Sequence, residues 1–183
     1  TAVALLEMER RDEAIALLTD SAHASQQLVD QVTARTDGDA TVGALVLGKV
    51  SQAAERGVLL RTEIAPDAPR SVLTAVDAVT VVGNLLDNAV DAAAAGPAPR
   101  TVDFAMMRSG RDLILTVTDS GAGVPTEMRE RVFEMGFSTK PAGAEGRGVG
   151  LALVRDIVTA AGGSIRIDDA DPSRFVVMLK GRG

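Results

Sequence analysis

The chain has no cysteine, which removes disulfide scaffolds and thiolate-held metals and is consistent with a reducing compartment. Aromatic residues are scarce, four Phe with neither Trp nor Tyr, so the stacking platforms that grip single-stranded nucleic acids are missing. Positive charge is in the minority, 19 Lys and Arg against 25 Asp and Glu for a net charge of -6. Without a basic stripe no nucleic acid is expected as a partner, and any anionic ligand has to be held locally. No apolar run approaches the ~18 residues that span a bilayer. No basic-then-apolar leader follows Thr1, so the sequence reads as a soluble piece with a cytoplasmic location. What remains is ordinary globular composition, 46% hydrophobic and 24% charged. At about 150 residues per domain, 183 residues allow one full domain and an appendage.

The appendage is expected at residues 1–36. Ile15, Leu18, Ala22, Ser25, Val29 and Val32 recur at spacings of three and four, the seam of a helix that packs on another helix. Asp12 and Glu13 suit its N-terminus, and Leu5, Leu6 and Met8 look like the end of a preceding arm. Together they predict a truncated helical hairpin, with dimerisation favoured over simple packing on the main domain. The polar break at Thr36–Ala40 starts the second unit, 37–183. Its patterning predicts helices over 41–55, 77–94 and 148–161, and strands over 58–65, 101–107, 112–118, 164–168 and 174–179. Helices and strands mix without strict alternation, which points to an α+β fold, a two-layer sandwich with helices on one face of a mixed sheet.

Three stretches carry chemistry. Asn84, Asn88 and Asp91 fall at i, i+4 and i+7, a polar stripe on an otherwise apolar helix. Asn competes with the helix backbone, so two in register need a reason. Amide oxygens are hard ligands that suit Mg²⁺, although an exposed outer face would look the same. Next, Asp119 closes a strand and shares the core-facing side of Leu113, Leu115 and Val117. A carboxylate there needs donors, an adenine amino group being one, unless it merely begins a tight turn with Gly121 and Gly123. Last, Gly146-Arg147-Gly148-Val149-Gly150-Leu151 runs into a helical pattern, where free N–H groups and the positive dipole end could cradle phosphate, with Lys140 and Arg147 adding cations. The Walker ending is absent and no strand directly precedes these glycines, so neither a P-loop nor a dinucleotide fingerprint is present.

Taken in order, these stretches resemble the GHKL ATP-binding fold and, within it, the catalytic domain of a sensor histidine kinase. Asn84 and Asn88 match its N box, Asp119–Gly123 the first glycine box, Phe133 and Phe137 the F box, and Gly146–Gly150 the second glycine box. The resemblance implies ATP and Mg²⁺ as cofactors, Asn88 as the metal ligand and Asp119 as the acceptor of the adenine amino group. It also implies a mobile lid from Val124 to Arg147. Arg11-Asp12-Glu13-Ala14-Ile15, Leu47-Gly48-Lys49, Ala54-Glu55-Arg56-Gly57 and the run from Gly83 to Ala92 look like the citrate and C4-dicarboxylate sensing kinases, which extends the match over essentially the whole chain.

In that family the γ-phosphoryl passes to a His on the first hairpin helix and then to a response regulator, within a homodimer that is commonly membrane-anchored. The phosphoacceptor is therefore expected upstream of Thr1. His23, on the second helix and outside the seam, reads as an ordinary surface residue. Two rivals stand: a GHKL-type ATPase or anti-sigma-factor serine kinase, and a non-catalytic dimerisation module. The former would carry Glu at position 84 as a general base, where this chain has an amide.

Overall fold

The structure is a computed structural model that describes residues 40–68, 72–137, 148–169, 171 and 173–181. The expected hairpin, His23, Lys140, Gly146 and Arg147 lie outside the described residues. The elements run α1 (Ala40–Glu55), β1 (Leu59–Ile64), α2 (Ala75–Ala95), β2 (Thr101–Ser109), β3 (Asp112–Asp119), two short 3-10 turns (Thr126–Met128 and Arg131–Phe133), α3 (Gly150–Ala160), β4 (Ser164–Ile167) and β5 (Arg174–Leu179). The strand order is β1-β2-β3-β5-β4. β1 runs parallel to β2 and the other pairings are antiparallel, so the sheet is mixed as expected.

Strand β3 shows how the layers form. Leu113, Leu115, Val117 and Asp119 are buried while the alternating residues are only partly covered, the period-two pattern of a sheet packed on one side. The covering layer is built around α2, whose buried residues Ala78, Val81, Val82, Leu85, Leu86, Ala89, Val90 and Ala93 alternate by three and one along a single apolar face. α1 packs beside α2 and along β1, and α3 packs against α2 and over β4. The core between the layers is mostly aliphatic, with Leu86, Leu115, Leu179, Val46 and Val154 fully buried and Phe104 its largest side chain. Each such side chain contributes roughly 1.5–3 kcal/mol by leaving water.

Local chemistry explains where the elements begin. α2 starts two residues before its predicted position because Thr74 caps it: the Thr74 hydroxyl oxygen accepts from the Asp77 N–H at 3.1 Å. α3 starts two residues after its predicted position because Gly148 has φ +81°, which no right-handed helix accepts. β2 extends to Ser109, paired opposite Asp112, since Gly110 at φ +63° closes the hairpin tightly.

Candidate functional site

Helix α2 turns its polar stripe away from the core and toward two glycine loops. The Asn84 side-chain N–H donates to the Thr80 carbonyl at 2.8 Å, one turn back, which leaves its Oδ1 facing the start of α3. A Cβ placed on Gly150 would lie 2.5 Å from that oxygen, so glycine is required for the approach. One turn further, the half-buried side chain of Asn88 makes no hydrogen bond to a described residue. Asp91 is engaged by Arg56, just past the end of α1, Nη1 to Oδ1 2.6 Å, and Lys49 of α1 pairs with Asp87 at 2.5 Å.

The first glycine loop abuts the same helix. A Cβ on Gly121 would come within 3.0 Å of the Ala92 carbonyl, which leaves room only for glycine. Gly150 and Gly121 thus meet α2 at Asn84 and Ala92, eight residues or about 12 Å apart along the axis, with Asn88 midway. Asp119 lies at the root of this loop. It is buried, and its Oδ1 accepts from the Gly121 N–H at 2.7 Å. Burial raises the Asp119 carboxyl above the ordinary carboxylate range; the Gly121 hydrogen bond opposes the rise and the neighbouring Asp171 charge adds to it. A carboxylate kept in so unfavourable a place is a candidate binding group.

The second glycine loop opens α3. Gly136 N–H donates to the Gly148 carbonyl at 2.8 Å, joining the second 3-10 turn's exit to the start of α3. Val149 precedes α3 without a side-chain cap, so among the described residues no side chain caps the first N–H groups of the helix, which lie at its positive end. Gly123 adopts φ +71° just beyond Asp119. Gly150 and Gly121 thus meet α2 on either side of Asn88, with Asp119 joined to the Gly121 loop and Gly148 packed on Gly136.

Residues 74–182 match the family described as histidine kinase-, DNA gyrase B- and HSP90-like ATPase. The chain belongs to this ATPase family. It is 35% identical over 173 residues to the sensor histidine kinase DpiB of Escherichia coli (strain K12), covering 92% of this chain and 31% of that protein. A probable C4-dicarboxylate sensor kinase of Halalkalibacterium halodurans is 33% identical over 92% of this chain and 32% of its own length. The chain thus spans about a third of the length of these relatives. Among solved structures, the mycobacterial sensor histidine kinase MprB superposes with a TM-score of 0.63 at 25% identity, covering 78% of this chain and 94% of that one. The mixed sheet and helix layer are those of histidine kinase catalytic domains, and an ATPase domain of this family binds ATP. No helix among the described residues is long and apolar enough to cross a membrane.

Within this ATPase domain one expectation narrows. The span from Val124 was expected to be a mobile lid, yet its described part is built into the fold. Phe133 is buried against Phe175, ring centroids 6.2 Å apart and nearly perpendicular, while Arg131 stacks over Phe137 at 4.9 Å. Two tertiary links near these loops had no sequence signal. Ser173 is buried beside Asp119, its carbonyl accepting from the Asp119 N–H at 3.3 Å and its hydroxyl donating to the Gly121 carbonyl at 3.4 Å. Arg129 reaches Asp169 at 2.8 Å and fastens the first 3-10 turn to the β4–β5 turn. Only tertiary pairing distinguishes either from an ordinary turn residue.

Proposed function

We propose that residues 37–183 are the catalytic ATP-binding domain of a two-component sensor histidine kinase, and that 1–36 belongs to its dimerisation hairpin. The observation that carries this reading is Asn88 midway along one helix face between the loop that roots Asp119 and the glycines that open α3. Asp119 accepts the adenine amino group with the oxygen that Gly121 does not use. Gly148, Val149, Gly150 and Leu151 offer backbone donors to the phosphates, supported by Lys140, Gly146 and Arg147 of the second glycine loop.

The residues present fit Mg²⁺ as well as ATP. Among the described residues no group of three or more acids or histidines could hold an ion alone. An ion held by Asn88 is therefore shared with phosphate oxygens, as Mg²⁺ prefers. When bound, it supplies charge neutralisation at the transferred phosphoryl group. The chain's own residues orient the nucleotide and exclude water from its base, which is most of what such transfer asks of a protein. The acceptor is a His outside this chain, and the phosphoryl group passes on to a response regulator. The intact protein is a homodimer and a membrane-anchored sensor with this part in the cytoplasm. Asn84 cannot serve as a general base, which disfavours a water-activating clamp ATPase.

Calorimetry tests the reading. Mg-ATP is expected to bind the chain, with Asn88→Ala and Asp119→Asn each weakening it by a factor on the order of 10–100. Radiolabelled ATP is expected to leave His23 unlabelled. Robust steady phosphate release that Asn88→Ala abolishes would favour the clamp ATPase and contradict the kinase assignment.

A further inference from the structure

Gly150 is a glycine with no conformational need to be one. It opens α3 without the positive φ that excludes a side chain at Gly148, and a helix ordinarily favours alanine over glycine. The obstacle is a single neighbour. The three atoms nearest to a Cβ on Gly150 would all belong to the Asn84 side chain, Oδ1 at 2.5 Å, Cγ at 3.3 Å and Cβ at 3.8 Å. That oxygen does not swing aside without loss, because the other arm of the amide donates to the Thr80 carbonyl at 2.8 Å. Turning the amide over would set oxygen against oxygen, so the bond fixes which atom faces α3. The Asn88 side chain has no such anchor among the described residues. The two asparagines of the stripe are therefore not equivalent: one is locked against a neighbouring helix and the other is not.

We infer that Asn84 is a positioning residue of the nucleotide site: it acts through Gly150, setting how closely the start of α3 approaches α2 and hence where the first N–H groups of α3 meet phosphate. The inference rests on the nucleotide site proposed above and assigns its two asparagines different tasks. A direct ligand and a positioning residue respond differently to a second change. If Asn84 met metal or phosphate itself, its loss and the crowding of Gly150 would be separate injuries, and their effects on affinity would multiply. Acting through Gly150, it gives another result: removing the oxygen makes room for a methyl group there, and the second change adds nothing.

The test is a double-mutant cycle on the whole chain, with Mg-ATP affinity read by calorimetry and adenosine affinity by the shift of the Gly121 amide resonance. Asn84→Ala and Gly150→Ala should each weaken Mg-ATP binding about tenfold, the effect of one misplaced hydrogen bond. Combined, they should still weaken it about tenfold, where independent effects would give about a hundredfold. Adenosine, which has no phosphate for α3 to meet, should bind all four proteins alike, an outcome that a general loosening of the fold would not give. Alanine suits a helix better than either residue it replaces, so the variants should fold; should Asn84→Ala fail to, Asn84→Ser takes its place in the same cycle. Effects that multiply overturn the inference, as does Mg-ATP affinity indifferent to Gly150→Ala, or adenosine affinity that falls in step with that of Mg-ATP. Absence of Mg-ATP binding by the unaltered chain is a separate result, which would overturn the nucleotide site itself and this inference with it.

Discussion

Helix α2 has two faces that obey different rules. Leu85, Leu86, Ala89 and Ala93 are buried against the sheet, and any aliphatic side chain of the right volume would serve there. Asn84, Asn88 and Asp91, on the other face, are poor helix formers, and in the proposed site the oxygens of the two asparagines are what that face offers the nucleotide site. The same contrast recurs on β3, where Leu115 and Val117 stabilise the core and Asp119, in line with them, strains it. Stability and chemistry are thus kept on opposite faces in the helix but share one face in the strand.

Substitutions can break this contrast. The largest effect is expected for Leu86→Ala, a cavity at a fully buried position costing about 2–5 kcal/mol in denaturant unfolding while leaving Mg-ATP affinity unchanged well below the melting temperature. Gly148→Ala should cost roughly 1–3 kcal/mol in the same measurement, because φ +81° disfavours a side chain and its Cβ would strike Gly136; nucleotide affinity should fall with it. Asp119→Asn should do the reverse of Leu86→Ala, raising stability by on the order of 1 kcal/mol while weakening ATP binding.

Its pH dependence sharpens the point. Because the folded-state pKa of Asp119 is raised, the folded chain holds the proton more tightly, and the stability this gives is present at low pH and lost as pH rises through the folded pKa. The gain from Asp119→Asn should therefore be small in acid and grow toward neutrality, as thermal melts across pH would show. The smallest effect belongs to Asp112, whose carboxyl is lowered by its hydrogen bonds from Lys180 and Gly181. That contribution is present above the ordinary carboxylate pKa and lost as pH falls, so Lys180→Met should slightly destabilise the neutral chain and leave the acidic one unaffected.

Much of the fold was readable because its periodicities are clean. The α2 face, the alternation of β3 and the glycine before α3 each state their geometry locally. The strand order was not so written, since it depends on which edges meet, and β5 lies between β3 and β4 only by tertiary pairing. In the site, the asparagines and glycines stand out because they break local preference. Ser173 and Arg56 break none, and their contacts are with Gly121 and Asp91, 52 and 35 positions away in the chain.

The most direct test of the central claim is a nucleotide-bound structure of this chain with Mg²⁺. The account predicts the adenine amino group within hydrogen-bonding distance of Asp119, the metal on the Asn88 amide oxygen, and phosphate at Gly148–Gly150. A nucleotide seated elsewhere, or one whose base and metal meet neither Asp119 nor Asn88, would contradict it.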